Sequence, residues 1–226
     1  MRGFLALGVF IHHSSVWYQY IHTGNWDPPR SNLYNQLGQT SVSLFFMITS
    51  FLFITKLMNS SAKGFNWRDF FLSRLFRLAP MYFFSISILI VLVMFLSKWK
   101  LNVEIPQFIK SIVDWGLFTI NNTPGINNSS FTTVINAKVV WSLPYEWLFY
   151  FSLPVISLAI LKVKPQYAYI IFSIAFITLF LIMHEVKIEH LYSFIGGAIP
   201  PVLLKYTSLN KKAVNSYSNI LILVCL

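Results

Sequence analysis

The sequence predicts an all-α fold, a polytopic bundle of helices integral to a membrane, on three observations. Of its 226 residues 56% are hydrophobic and 11% charged, whereas soluble domains carry roughly 25% charged residues. Long apolar runs recur along the chain with short basic segments between them. The lysines and arginines behind the formal charge of +10 gather in those segments, the pattern of the positive-inside bias rather than of a nucleic-acid-binding face. A single cysteine, Cys225, excludes an internal disulfide framework. Neither an internal repeat nor a soluble domain is visible.

The first run, Phe4 to Ile11, follows Arg2 and leads into His12, His13, Trp17, Tyr18 and Tyr20. It imitates a signal peptide, but no small-residue cleavage site follows, so it reads as a mature span. Eleven residues of helix rise roughly 16 Å and turn a net 20° or so. Arg2 and His13 therefore share a face, with the imidazole near mid-bilayer, while His12 sits about 100° round. Ionisable groups at that depth usually face a cavity or a partner; the plainer alternative is a neutral ring bonded to a neighbouring helix.

Residues 21–36 are polar and turn-rich, with Asp27-Pro28-Pro29, and read as a loop on the non-cytoplasmic side. Span two covers about 37–57. The densest basic loop follows, with Lys56, Lys63, Arg68, Arg74 and Arg77, and is read as cytoplasmic, which places Arg2 inside as well. Span three covers about 76–97, with Pro80 in its first turn, where proline is tolerated. Residues 98–140 form a mixed outer region with two Asn-rich turns. Its apolar piece, 112–120, is too short to cross a bilayer of roughly 30 Å and reads as interfacial or re-entrant. Span four covers about 140–161, with Lys162 and Lys164 inside; span five covers 167–183; span six covers 190–204 and contains Gly196-Gly197 and Pro200-Pro201. Lys205, Lys211 and Lys212 follow inside. A seventh run starts near Tyr217 and is still apolar at Leu226, so the chain reads as cut after about seven spans.

Two further stretches carry chemistry. Arg74 and Arg77 stand three apart at the entry to span three; planar, permanent cations of this kind suit phosphate, although arginines at a span end also serve as topology anchors. Glu146 lies a turn or two into span four among Trp141, Tyr145, Trp147, Phe149 and Tyr150. An aromatic belt explains the rings but not the carboxyl, which has to be protonated, paired or cavity-lining. His12 competes with His13, and His22, His184 and His190 read as solvated residues in or near loops. No residue spacing suggests a metal site, a Gly-rich phosphate loop or a serine nucleophile.

Taken together, Arg2-Gly3 with His13 eleven positions on, Phe45-Phe46, Arg74-x-x-Arg77-x-x-Pro80, and Trp141-Ser142-Leu143-x-x-Glu146-x-x-Phe149-Tyr150 with Pro154 resemble the motifs of the membrane acyltransferase-3 family. That family includes bacterial O-antigen and exopolysaccharide O-acetyltransferases. The four blocks stand in the family's order, with a weaker match at Phe194-Ile195-Gly196-Gly197. Where the family usually reads Ser-Gly-Phe-Leu, this chain has Thr49-Ser50-Phe51-Leu52. Members usually have residues before the Arg-Gly and about ten spans, so the resemblance makes residues 1–226 a single acyltransferase-like domain, incomplete at its C-terminus.

The resemblance implies a membrane-bound O-acyltransferase of the bacterial inner (plasma) membrane, with its Arg2 end cytoplasmic. It would take an acyl group, most often acetyl, from acyl-coenzyme A (acetyl-CoA) and place it on a hydroxyl of an envelope polysaccharide or other sugar. On that reading His13 is the general base and Glu146, approaching from the outer side, its partner or a contact to the sugar; Arg2, Arg74 and Arg77 hold the donor's phosphates; and Trp141, Ser142 and Tyr145 meet the acceptor. The partners are the lipid bilayer, acyl-CoA and the sugar, with no metal and no nucleic acid. Two rival readings stay open: a transporter or flippase for a polysaccharide precursor, and an inserted but inactive partial product.

Overall fold

The computed structural model describes residues 2–28, 30–60, 65–121, 123–158 and 165–206. Most of these residues are helical, and none of them lies in a strand. Six main helices pack side by side: α1 (Arg2–Thr23), α2 (Asn32–Ser60), α3 (Trp67–Leu96), α6 (Ser142–Ile156), α7 (Tyr167–Met183) and α8 (Ile188–Tyr206). Two short ones, α4 (Ile105–Gly116) and α5 (Thr132–Ile135), lie in the connection between α3 and α6. Of the six, α2 and α3 are long and apolar enough to cross a membrane, and α7 and most of α8 are shorter apolar helices. The run from Tyr217, Cys225, and the loop cations Lys63, Lys162, Lys164, Lys211 and Lys212 lie outside the described residues.

Small residues set how closely α2 approaches its neighbours, as expected where apolar packing must supply the association of membrane helices. A Cβ on Gly8 would meet Ser41 Oγ at 2.4 Å, and one on Gly38 would meet His12 Cγ at 2.4 Å. On its other side, a Cβ on Gly197 would fall 2.0 Å from the backbone oxygen of Met47. Stacked rings complete the seams, with Phe46 on Phe194 at 4.5 Å and Phe194 in turn on Phe149 at 4.6 Å. Phe46, Leu57, Val93, Trp115 and Ile126 are fully buried in the resulting core.

Three local expectations are corrected. The third span starts nine residues before Phe76, because Asn66 caps the helix: its Oδ1 accepts the Asp69 N–H at 3.1 Å and its Nδ2 donates to Asp69 Oδ2 at 2.7 Å. That side-chain exchange satisfies free donors of the first turn. Pro80 consequently lies well inside α3, where its missing N–H opens the backbone ladder and favours a kink. The short piece of the outer region is α4, shifted toward the N-terminus of the expected 112–120 and opened by Pro106 in its first turn.

The connection from α3 to α6 is built rather than loose. Asn127, buried, accepts the Asn102 N–H at 2.7 Å and donates to Lys100 O at 2.8 Å. Trp115 Nε1 donates to Pro124 O at 2.9 Å, and Tyr82 Oη to Trp115 O at 2.6 Å. The connection then reaches the segment between α1 and α2, where the Lys138 ammonium sits 5.9 Å from the Trp26 ring.

Candidate functional site

A cavity of about 1010 Å³ opens between α1, α2, the start of α6 and the α7–α8 junction. Its wall follows α1 from Arg2 to Trp17, roughly 22 Å of helix axis. Arg2, His13, Trp141, Ser142, Tyr145 and Glu146 all line it, so six of the eight residues singled out in the sequence share one hollow. Arg74 and Arg77 do not line it. His12 does, although it is about 100° round the helix from its neighbour, because the cavity is wide enough to take in both faces.

At one end Arg2 is held by α2. Its Nη2 donates to Thr49 Oγ1 at 3.3 Å, Thr49 Oγ1 donates to Phe45 O at 2.8 Å, and the guanidinium lies 5.2 Å from the Phe45 ring centre. Ser50, in place of the family's usual glycine, is wholly buried, so the close packing of this turn accommodates a hydroxymethyl group. One turn further on, the Arg74 guanidinium stacks over Phe53 at 4.9 Å, a cation–π contact, while Arg77 is exposed. The buried Nε atoms of Arg2 and Arg74 have no hydrogen-bond partner.

Glu146 is buried at the fifth residue of α6 and accepts a hydrogen bond from Tyr150 Oη at 3.0 Å. Arg2, Arg77 and Arg74 all lie within its Coulombic reach. The carboxyl belongs to α6, whose Tyr150 packs its ring against Phe53 of α2 at 5.4 Å and Phe70 of α3 at 6.0 Å. Tyr150 was not among the expected residues, although Glu146 and Tyr150 stand four apart, the spacing that faces two side chains on a helix.

The two imidazoles differ in their attachments. His12 Nδ1 is 2.9 Å from Tyr34 O, so an Nδ1–H donated to that carbonyl leaves the other nitrogen bare. His13 packs edge-on against it at 5.0 Å and keeps a buried Nδ1 without a partner. At the far end His190, read from the sequence as solvated, is half-buried: it stacks on Trp141 at 4.7 Å, meets the edge of Tyr145 at 4.8 Å and lines the cavity. His184 is likewise tied down, its Nε2 against the Ile120 carbonyl, and His22 is exposed. Only tertiary contacts place His184 and His190. Among the described residues no three His, Cys, Asp or Glu side chains gather as metal ligands.

Fold and site together define a helical bundle with two long apolar helices and a titratable, cation-rimmed cleft sunk among its helices. A family model described as an acyltransferase domain, that of the acyltransferase-3 family, matches residues 1–222, and the chain belongs to this family. It is thereby an acyltransferase of a typically membrane-bound family. Comparison with curated proteins returns no match, and comparison with solved structures returns none either.

Proposed function

We propose that this acyltransferase takes an acyl group, in the first instance acetyl, from cytoplasmic acyl-CoA and delivers it to a hydroxyl of an envelope polysaccharide. It does so in the bacterial inner membrane with the Arg2 end inside. The observation that carries this reading is the single cavity that joins Arg2, His13 and Glu146. His13 accepts the proton of the acceptor hydroxyl as its oxygen attacks the thioester carbonyl carbon. The carbon–sulfur bond then breaks, and the imidazolium returns the proton to the departing thiolate. General base catalysis of this kind contributes about 10²- to 10⁴-fold.

Arg2 sits at the cavity end that the acyl arm would enter, and Arg74 and Arg77, outside the lining, suit the donor's phosphates through charge-assisted bonds. Glu146 steadies the cations and the imidazolium, and Trp141, Ser142 and Tyr145 face the acceptor. The test is acetyl-CoA turnover with a soluble sugar acceptor by the purified chain in liposomes. His13→Ala is expected to lower turnover at least about 100-fold and His12→Ala to lower it far less. Wild-type turnover in His13→Ala removes that residue from the chemistry. Movement of a polysaccharide precursor without thioester cleavage favours the transporter instead.

A further inference from the structure

We propose that the α7–α8 junction, through Lys187, Glu189 and His190, together with Trp141, forms the acceptor subsite and selects the sugar presented to His13. This inference rests on the acyl transfer proposed above. The cavity end remote from Arg2 differs in kind from the rest of the wall. There the indole of Trp141, 38% exposed, forms a shelf with His190 stacked beneath it at an interplanar angle of 30°. A pyranose ring has an apolar C–H face and a polar rim, and it is bound by a flat aromatic surface flanked by a few converging donors and acceptors.

Those flanking groups are present. The carboxylate of Glu189 and the ammonium of Lys187 belong to the same cavity wall, and both side chains are exposed. A carboxylate accepts two hydroxyl hydrogens and an ammonium donates to hydroxyl oxygens. The junction is also fixed in place: the Lys187 backbone N–H donates to Tyr145 Oη at 3.0 Å, binding the loop to α6 one residue before Glu146. The subsite is thus rigidly coupled to the helix that carries the carboxyl of the reaction centre, which makes it a device for register between sugar and imidazole.

The test uses the full chain with acetyl-CoA as donor and a panel of p-nitrophenyl monosaccharides as acceptors, comparing wild type with His190→Ala and Glu189→Gln. Glu189→Gln alters an exposed side chain and leaves the packing intact. The expected result is a rise of about tenfold or more in the KM for the preferred monosaccharide, with the KM for acetyl-CoA moving less than twofold and the order of preference across the panel changed. Turnover by wild type with an acceptor KM and preference unchanged in Glu189→Gln and His190→Ala overturns the subsite while leaving the acyl transfer standing. An equal rise in both KM values also overturns it, and absence of turnover by wild type overturns the two readings together.

Discussion

Gly38→Ala adds one methyl group where α1 and α2 cross, and its cost can be worked out from the geometry. The new Cβ would stand 2.4 Å from His12 Cγ and 2.8 Å from both Cδ2 and Nδ1. The ring has to swing aside, which breaks its contact with the Tyr34 carbonyl, or α1 has to retreat from α2. Overpacking costs about 1–3 kcal/mol and the hydrogen bond about 0.5–1.5 kcal/mol, and alanine returns about 1 kcal/mol of helix propensity. A net destabilisation of about 1–3 kcal/mol is expected. Gly3→Ala, with nothing within 4 Å of its Cβ, is the control and should be neutral or slightly stabilising. The assay is thermal unfolding in detergent, read alongside His12→Ala and the double variant. Because His12→Ala removes the atoms that clash, the double variant should recover at least about 1 kcal/mol relative to additivity, as contacting residues do. Gly38→Ala as stable as Gly3→Ala, or strict additivity in the cycle, would refute the close approach of the two helices.

Gly197→Ala should be costlier still, about 3 kcal/mol at the upper end of overpacking, because the obstacle is the Met47 backbone rather than a side chain; an unaltered midpoint in thermal unfolding would contradict it. Tyr150→Phe removes only the bond to Glu146 Oε2 and leaves a buried acceptor with one donor fewer. It should lower stability by about 1–3 kcal/mol, measured by denaturant unfolding in micelles, and a wild-type value would mean that the bond is not formed.

How much of this was legible depends on the range of each interaction. The shared face of Arg2 and His13 follows from helical period alone, and both line the cavity. Glu146 was legible as an anomaly, a carboxyl among rings, without its neighbours being legible. The start of α3 was written in Asn66 and Asp69 but hidden by the polar character of the segment, which resembles a loop until the cap is recognised. His190 was out of reach. Its place depends on Phe46 of α2, Trp141 just before α6 and Tyr145 of α6 converging on one ring, and no local pattern encodes a contact between residues that far apart in the chain. The convergence of Arg74 and Arg77 on Glu146 was hidden for the same reason, since alternation of spans assigns sides but not lateral neighbours.

That convergence changes what substitutions at the arginines can mean. A lone carboxylate inside an apolar bundle is expensive, and one hydrogen bond from Tyr150 does not neutralise it. Three guanidiniums within Coulombic reach offset part of that cost, and they leave the cluster with a surplus of positive charge and with Nε donors on Arg2 and Arg74 that have no partner. The surplus suits an incoming polyanion, and on the proposed reaction the donor's phosphates supply it. The same charges stabilise Glu146 before any donor arrives. Loss of activity on removing an arginine therefore follows equally from a missing phosphate contact and from an uncompensated carboxyl. A cycle with Glu146→Gln, read as thermal unfolding in the absence of donor, separates the two, because a missing phosphate contact costs nothing there and only the uncompensated carboxyl is relieved when it goes.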